Sequence, residues 1–208
     1  MWSPPTVEPI DDPAGAALTQ PTLHSPRLLL RPFAMGDAPR VHALAGTVQV
    51  ADTTLTIPHP YPDGAAEEWI ALHAESYARG IGAHFAIVEK GGDGQPAGAV
   101  GLVVSREHRR AELGYWVGVP FWGRGWCTEA AREVVRFAFG RMELARVVAC
   151  HFARNPASGV VMRKIGMRHE GTFRSHVRKW GRLEDVEYYG ILCGELTESE
   201  PPPERPAG

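Results

Sequence analysis

The sequence holds only three cysteines, Cys127, Cys150 and Cys193, with no CxxC spacing among them. An odd number without that spacing fits free thiols in a reducing compartment better than a disulfide framework, so a cytoplasmic location is expected. No apolar run approaches the ~18 residues of a membrane-spanning helix. The opening MWSPPTVEPIDDPAGAAL also lacks the basic start and apolar core of a secretory signal, and no membrane partner is expected. Charge of one sign is missing too: 22 basic residues against 24 acidic ones leave a net charge of −2. That gives no overall field to hold a polyanion, so nucleic acid is not an expected partner. Nine histidines include neither HExxH nor paired Cys/His spacing, so no metal site is expected. The nucleotide loop GxxxxGK(S/T) and the dinucleotide fingerprint GxGxxG are absent.

What is there is an ordinary globular composition, 44% hydrophobic and 22% charged over 208 residues, enough for one well-buried domain and crowded for two. Both ends are rich in proline and small or acidic residues. They read as a loosely ordered arm over 1–22 and a tail over 196–208, flanking a domain at 23–195.

Along that domain, RLLLR at 27–31 reads as a strand ended by Pro32, and Asp37 opens a short helix through His42 and Leu44. The prolines of IPHPYP (57–62) forbid regular structure, and Asp63 reads as the N-cap of a helix through Trp69, Leu72 and Tyr77. Strands follow at 84–89, 97–104 and 111–117, the first two joined by the hairpin turn GGDGQ. Helical spacing of Ala130, Val134, Val135, Phe137 and Ala138 sets a helix over about 126–139. RVVACHF (146–152) is a strand, Asn155-Pro156 starts a helix to Ile165, and Gly166 ends it. Two late strands, about 168–173 and 184–192, are separated by the basic, turn-bearing RSHVRKWGR. This order gives an α/β or α+β domain with a mixed sheet.

The most informative stretch is GYWVGVPFWGRGWCTEAA, Gly114 to Ala131: a strand, a turn with Gly123 and Gly125, then a helix start. Glycine permits close backbone approach, while free N–H groups and the helix dipole hold phosphate oxygens. A plain strand-to-helix connection is the alternative. Here the chain resembles the GNAT acyltransferases, whose motif A, (Q/R)xxGx(G/A), aligns with Trp122-Gly123-Arg124-Gly125-Trp126-Cys127. Trp122 and Cys127 depart from it. SPRLLLRPF, PHPYPDGAAEEWI, ARNPASGVVMRKIGM and the late EG…R…G…D…Y series are similar to the RimJ/RimL branch, the ribosomal-protein N-terminal acetyltransferases.

The resemblance implies a GNAT fold, a mixed central sheet of about seven strands flanked by about four helices, with acetyl-CoA as co-substrate. It also implies backbone groups of Trp116 and Val117 on the pantetheine arm, N–H groups of Gly123, Arg124, Gly125, Trp126, Cys127 and Thr128 on the pyrophosphate, and Asn155 contacting the pantetheine or capping its helix. The acceptor would be a peptide N-terminus or a small amine, attacking the thioester directly, with an oxyanion held near Val117. Glu112 is the leading base, since alternation in AELGYWV puts Glu112, Gly114 and Trp116 on one face. A structural ion pair is its alternative reading. Ser158 matches the serine of RimL-like proteins that approaches the cofactor sulfur. Met162 stands where many GNAT enzymes carry a tyrosine acid, and the RimL-like glutamate falls at Val177, beside His176.

His151 and His176 are lesser base candidates, and Cys127 and Cys150 read as inert. Tyr61, Trp69, Tyr77, Trp180 and Tyr189 read first as core and second as an acceptor pocket. Arg174 to Arg182 reads as a solvated hairpin or as a receiver for an acidic peptide or the cofactor's 3′-phosphate. An acyl-CoA sensor without transfer activity and an antibiotic-modifying acetyltransferase remain as alternatives, and the chain would be a monomer or a homodimer.

Overall fold

Alternating burial builds the sheet: Leu28 and Leu30, Phe85 and Ile87, and Ala111 and Leu113 turn inward at every second position. The computed structural model describes residues 19–196, so nearly all of the expected arm and tail, at 1–18 and 197–208, lies outside the described residues. The strands are β1 (Leu23–His24), β2 (Leu28–Pro32), β3 (Gly82–Glu89), β4 (Pro96–Ser105), β5 (Arg110–Val117), β6 (Arg146–Phe152), β7 (Arg168–Lys179) and β8 (Arg182–Leu192). The helices are α1 (Ala38–Ala45), α2 (Val48–Asp52), α3 (Ala65–Ala71), α4 (His73–Ala78), α5 (Trp126–Gly140) and α6 (Pro156–Lys164).

One sheet runs in the order β1-β2-β3-β4-β5-β6-β8-β7, and only β5 and β6 are parallel. Among the described residues there are thus eight strands where about seven are expected, and six α-helices where about four are. The extra elements are short: β1 has two residues and α2 five, too few for a periodic signal.

The two faces of the sheet carry different packing. On one face α5 buries Ala130, Ala131, Val134, Val135 and Ala138 completely, and Phe137 meets Phe85 edge-on at 5.6 Å. Burying each of the larger side chains contributes about 1.5–3 kcal/mol. A smaller cluster of Val41, Ala45, Ala66 and Ile70 from α1 and α3 holds Tyr61, Trp69 and Trp116. No helix among the described residues is long and apolar enough to cross a membrane.

Three sequence expectations change. The first helix after the proline loop is capped by Gly64, at φ 81°, and not by Asp63; it breaks at Leu72 into α3 and α4. The strand expected at 168–173 continues as β7 to Lys179. The turn to β8 is only Trp180-Gly181, with φ of 49° and 82°, the two positive angles of a tight hairpin. A register shift between Phe173 and Val177 interrupts the ladder there. Tyr77 and Tyr189 belong to the main core or pack against it, and Trp180 is exposed.

Gly98 locks β4 against the end of β5. A methyl group there would meet the Trp116 carbonyl and lie 2.7 Å from Val117 Cα, closer than packed atoms tolerate. Gly98→Ala is therefore expected to destabilise the fold by about 1–3 kcal/mol, measured as a lower urea midpoint with an unchanged m-value.

Candidate functional site

β5 and β6 pair for three residues only, Arg110 with Arg146, Ala111 with Val147 and Glu112 with Val148. Beyond Glu112 they part. On its other edge β5 stays paired to β4 as far as Val117 opposite Gly98, and Gly118 N–H reaches the Ala97 carbonyl at 2.9 Å. Alternation in an antiparallel ladder then turns the main-chain groups of Gly114 and Trp116 to β4 and those of Leu113, Tyr115 and Val117 into the gap. Trp122 Nε1 donates to the Val117 carbonyl at 2.8 Å, so the tryptophan that departs from motif A clips the following turn onto the strand end.

In that turn Gly123 and Gly125 sit at φ of 75° and 78°, and α5 starts at Trp126. A Cβ at Gly123 would meet nothing within 4 Å, so the left-handed angle is what calls for glycine there. The N–H groups of Trp126, Cys127 and Thr128 have no acceptor within the helix. Glu129 fixes this helix start. It accepts from Ser25 Oγ at 2.7 Å, Arg27 N–H at 2.8 Å and Arg27 Nε at 2.7 Å, and Arg27 Nη1 also donates to the Arg124 carbonyl at 3.1 Å. Burial works against the Glu129 carboxylate, yet these bonds hold it below the usual carboxylate range.

Gap and turn open into one cleft of ≈ 1160 Å³. Of the residues expected to hold the cofactor, Trp116, Val117, Gly123, Gly125, Trp126, Cys127, Thr128 and Asn155 line it, but the Trp116 main-chain groups, expected to be open, are turned to β4. Arg124 does not: its guanidinium lies 5.5 Å and 5.2 Å from the ring centres of Phe121 and Trp126. Asn155 occupies the N-cap position of α6 without a side-chain cap bond.

Glu112 and Ser158 both line the cleft, and they approach the gap from opposite faces of the sheet. Glu112 is exposed and receives the Cys150 thiol at 3.7 Å. Ser158, in the first turn of α6, is held by Tyr115, whose hydroxyl lies 2.9 Å from both the Ser158 carbonyl and its Oγ. Burial pushes the Tyr115 phenol well above its usual range, leaving a neutral donor. The parity that places Glu112 also places Tyr115 on the α6 face, so this missed partner was within reach of the sequence.

The other expected groups separate. Burial pushes the Cys127 thiol up to about 12; burial and then Glu112 push Cys150 up to about 11. Both are neutral thiols, not nucleophiles. His151 lines the cleft with Nδ1 2.8 Å from the Phe152 carbonyl. His176 lies 3.3 Å from the Tyr188 hydroxyl, and Tyr188, Val177 and the buried Met162 line the cleft. Tyr61 and Trp69 line it as well, whereas Tyr77, Trp180 and Tyr189 do not.

A roof of Thr53 to Pro58 covers the Glu112 side. Lys179, only 4% exposed, donates to the Leu55 and Ile57 carbonyls at 3.2 Å and 2.8 Å. Arg154 bonds Asp52 at 2.7 Å and Glu184 at 3.0 Å. The basic segment is thus a clamp on the roof. His84, which lines the cleft, stacks on the imidazole of His73 with ring centres 4.6 Å apart. Burial and then His84 bring His73 down to about 3, and burial lowers His84 too.

A GNAT acetyltransferase domain model matches residues 27–168. The Bacillus subtilis protein provisionally named ribosomal N-acetyltransferase YdaF is 36% identical over 104 residues, 50% of this chain and 57% of its own length. The uncharacterized N-acetyltransferase YoaA of the same organism is 28% identical over 173 residues, 83% of this chain and 97% of its own. The structure of RimL, the ribosomal L7/L12 alpha-N-protein acetyltransferase, in complex with coenzyme A superposes with a TM-score of 0.74. It covers 81% of this chain and 95% of its own at 19% identity, a likeness of fold.

The imidazole pair has a pH consequence. A folded value of about 3 against the ordinary 6.5 means that the unfolded chain binds the proton first. His73 therefore adds stability that is full above pH 6.5 and is lost as pH falls toward 3. His73→Phe is expected to flatten the decline in unfolding free energy between those limits, measured by denaturation at a series of pH values.

Proposed function

The chain belongs to the GNAT acetyltransferase family, and from that premise we propose that it resembles the RimJ/RimL branch in function, transferring an acetyl group directly from acetyl-CoA to a primary amine. Acetyl-CoA supplies the thioester that donates the acyl group. The observation that carries the reading is the parted β5–β6 pair with Glu112 on one face and Ser158 on the other.

The residues fit the co-substrate. Open main-chain groups of β5 suit the amide-bearing pantetheine, and the glycine turn with the α5 N-terminus suits a pyrophosphate. Glu112, within reach of solvent, takes the proton of the incoming ammonium, directly or through water. The Val117 N–H, turned into the gap, is placed to stabilise negative charge developing on the carbonyl oxygen. The Ser158 hydroxyl, oriented by Tyr115, donates to the departing sulfur. Neutral Cys127 and Cys150 leave no activated thiol for a covalent route, which favours one direct step. The relatives named for ribosomal acetylation support a protein N-terminus as one acceptor class, with a small amine as the other.

Glu112→Gln is expected to lower kcat by about 10²–10⁴ while acetyl-CoA affinity is kept. Thiol release in stopped time courses and calorimetric binding measure the two quantities, and full turnover in this variant overturns the base assignment. If acetyl-CoA binds but no peptide, polyamine or drug amine releases thiol, the chain is an acyl-CoA sensor. Gly125→Val strains a left-handed turn and is expected to raise the acetyl-CoA Kd by about tenfold; an unchanged Kd counts against phosphate binding at the turn.

A further inference from the structure

We infer that the acceptor is a primary amine with a single positive charge, carried on an apolar skeleton that bears an aromatic ring. This rests on the transfer reading above and narrows its acceptor. Among the described residues lining the cleft, Glu112 is the one carboxylate and Lys164, at the end of α6, the one lysine or arginine. A pocket built for a polyamine or an aminoglycoside needs several anions to replace the water around several cations. This one offers a single site.

The cross-strand neighbours of Glu112 are apolar, Val103 on β4 and Val148 on β6, while Arg110 and Arg146 share its face two positions back. Val103 stands directly across the strand pair from it and is 64% exposed. On the other side Tyr188, paired with Cys150 across the sheet, stacks edge-on with Phe173 at 4.6 Å. These groups give a ring a shelf and a wall beside the carboxylate that receives the amine.

Two carbonyls of the roof are already taken by a cation of the protein, and the neighbouring threonine hydroxyls are oriented toward the main chain. The Thr53 and Thr54 hydroxyls donate to main-chain carbonyls of α2. The Leu55 and Ile57 carbonyls accept from Lys179. Behind the roof stand three cations, Lys179, Arg154 and Arg182, and two anions, Asp52 and Glu184. The balance of three against two leaves one positive charge, which repels a second ammonium.

Binding to the full chain saturated with coenzyme A, followed by calorimetry, tests this without requiring turnover. The probes are 2-phenylethylamine, a tripeptide amide beginning with phenylalanine, n-butylamine and spermidine. At least one aromatic amine is expected to bind about tenfold or more tightly than spermidine and than butylamine. Which of the two aromatic probes binds more tightly distinguishes a small molecule from a peptide N-terminus. Val103→Asp, at an exposed position, adds a second anion and is expected to move the ratio toward spermidine by about tenfold. Spermidine or butylamine binding as tightly as both aromatic amines overturns the inference, as does an unmoved ratio in Val103→Asp. If the ratio holds but no probe releases thiol from acetyl-CoA, the transfer reading fails and the binding preference stands.

Discussion

Three residue pairs hold β5 to β6, and every feature of the site depends on their ending at Glu112. Beyond that point each strand keeps the partner on its other edge. β5 follows β4 through to Gly98, where the absence of a side chain lets the two backbones close up. β6 follows β8 as far as Phe152 opposite Val186. Tyr115 spans the widening gap to the first turn of α6 and holds Ser158. Buried main-chain groups must find partners, so the strand edge exposed in the gap favours a ligand with amides of its own.

The same parting sorts the chemistry by face. Side chains at Glu112 and Trp116 point toward α1, α3 and the roof, and those at Leu113, Tyr115 and Val117 toward α5 and α6. A donor lying in the gap is thereby offered a carboxylate from one side and a hydroxyl from the other. The neighbouring groups that burial affects are all kept neutral: the thiols and phenols are raised, the imidazoles His73 and His84 lowered. Glu112 is thus the one carboxylate among the described lining residues, with neutral thiol and phenol groups as its near neighbours.

Much of this was legible in the sequence because long elements repeat their own signal. The spacing from Ala130 to Ala138 marks α5, and the run RVVACHF marks β6 with its observed bounds. Glu112 was named from strand parity, the glycine turn from its glycines and the family motif, and Ser158 from the family resemblance, and all three line the cleft. β7 was cut short for a physical reason: as an edge strand it is exposed on both faces nearly throughout, so no alternation separates it from a loop. The role of Lys179 was invisible, since its carbonyl partners lie more than 120 positions away. Arg124 has the right place in the motif, and its side chain lies over the Phe121 and Trp126 rings.

The cleft lies where β5 and β6 part, and it is braced from both edges. At one edge, Ser25 and Arg27 hold Glu129 and with it the helix start that follows the glycine turn. That carboxylate side chain is 14% exposed, so its bonds are shielded as those of an ordinary surface pair are not. Lys90 bonds the Ser25 carbonyl and extends the brace to the end of β3. At the opposite edge, Lys179 and Arg154 hold the roof from the β7–β8 side. The central strands are thus free to part because residues at the two edges, and not the strands themselves, keep the walls of the gap in place. The glycine turn and the roof therefore have separate supports, and the roof can change its lining without disturbing the turn.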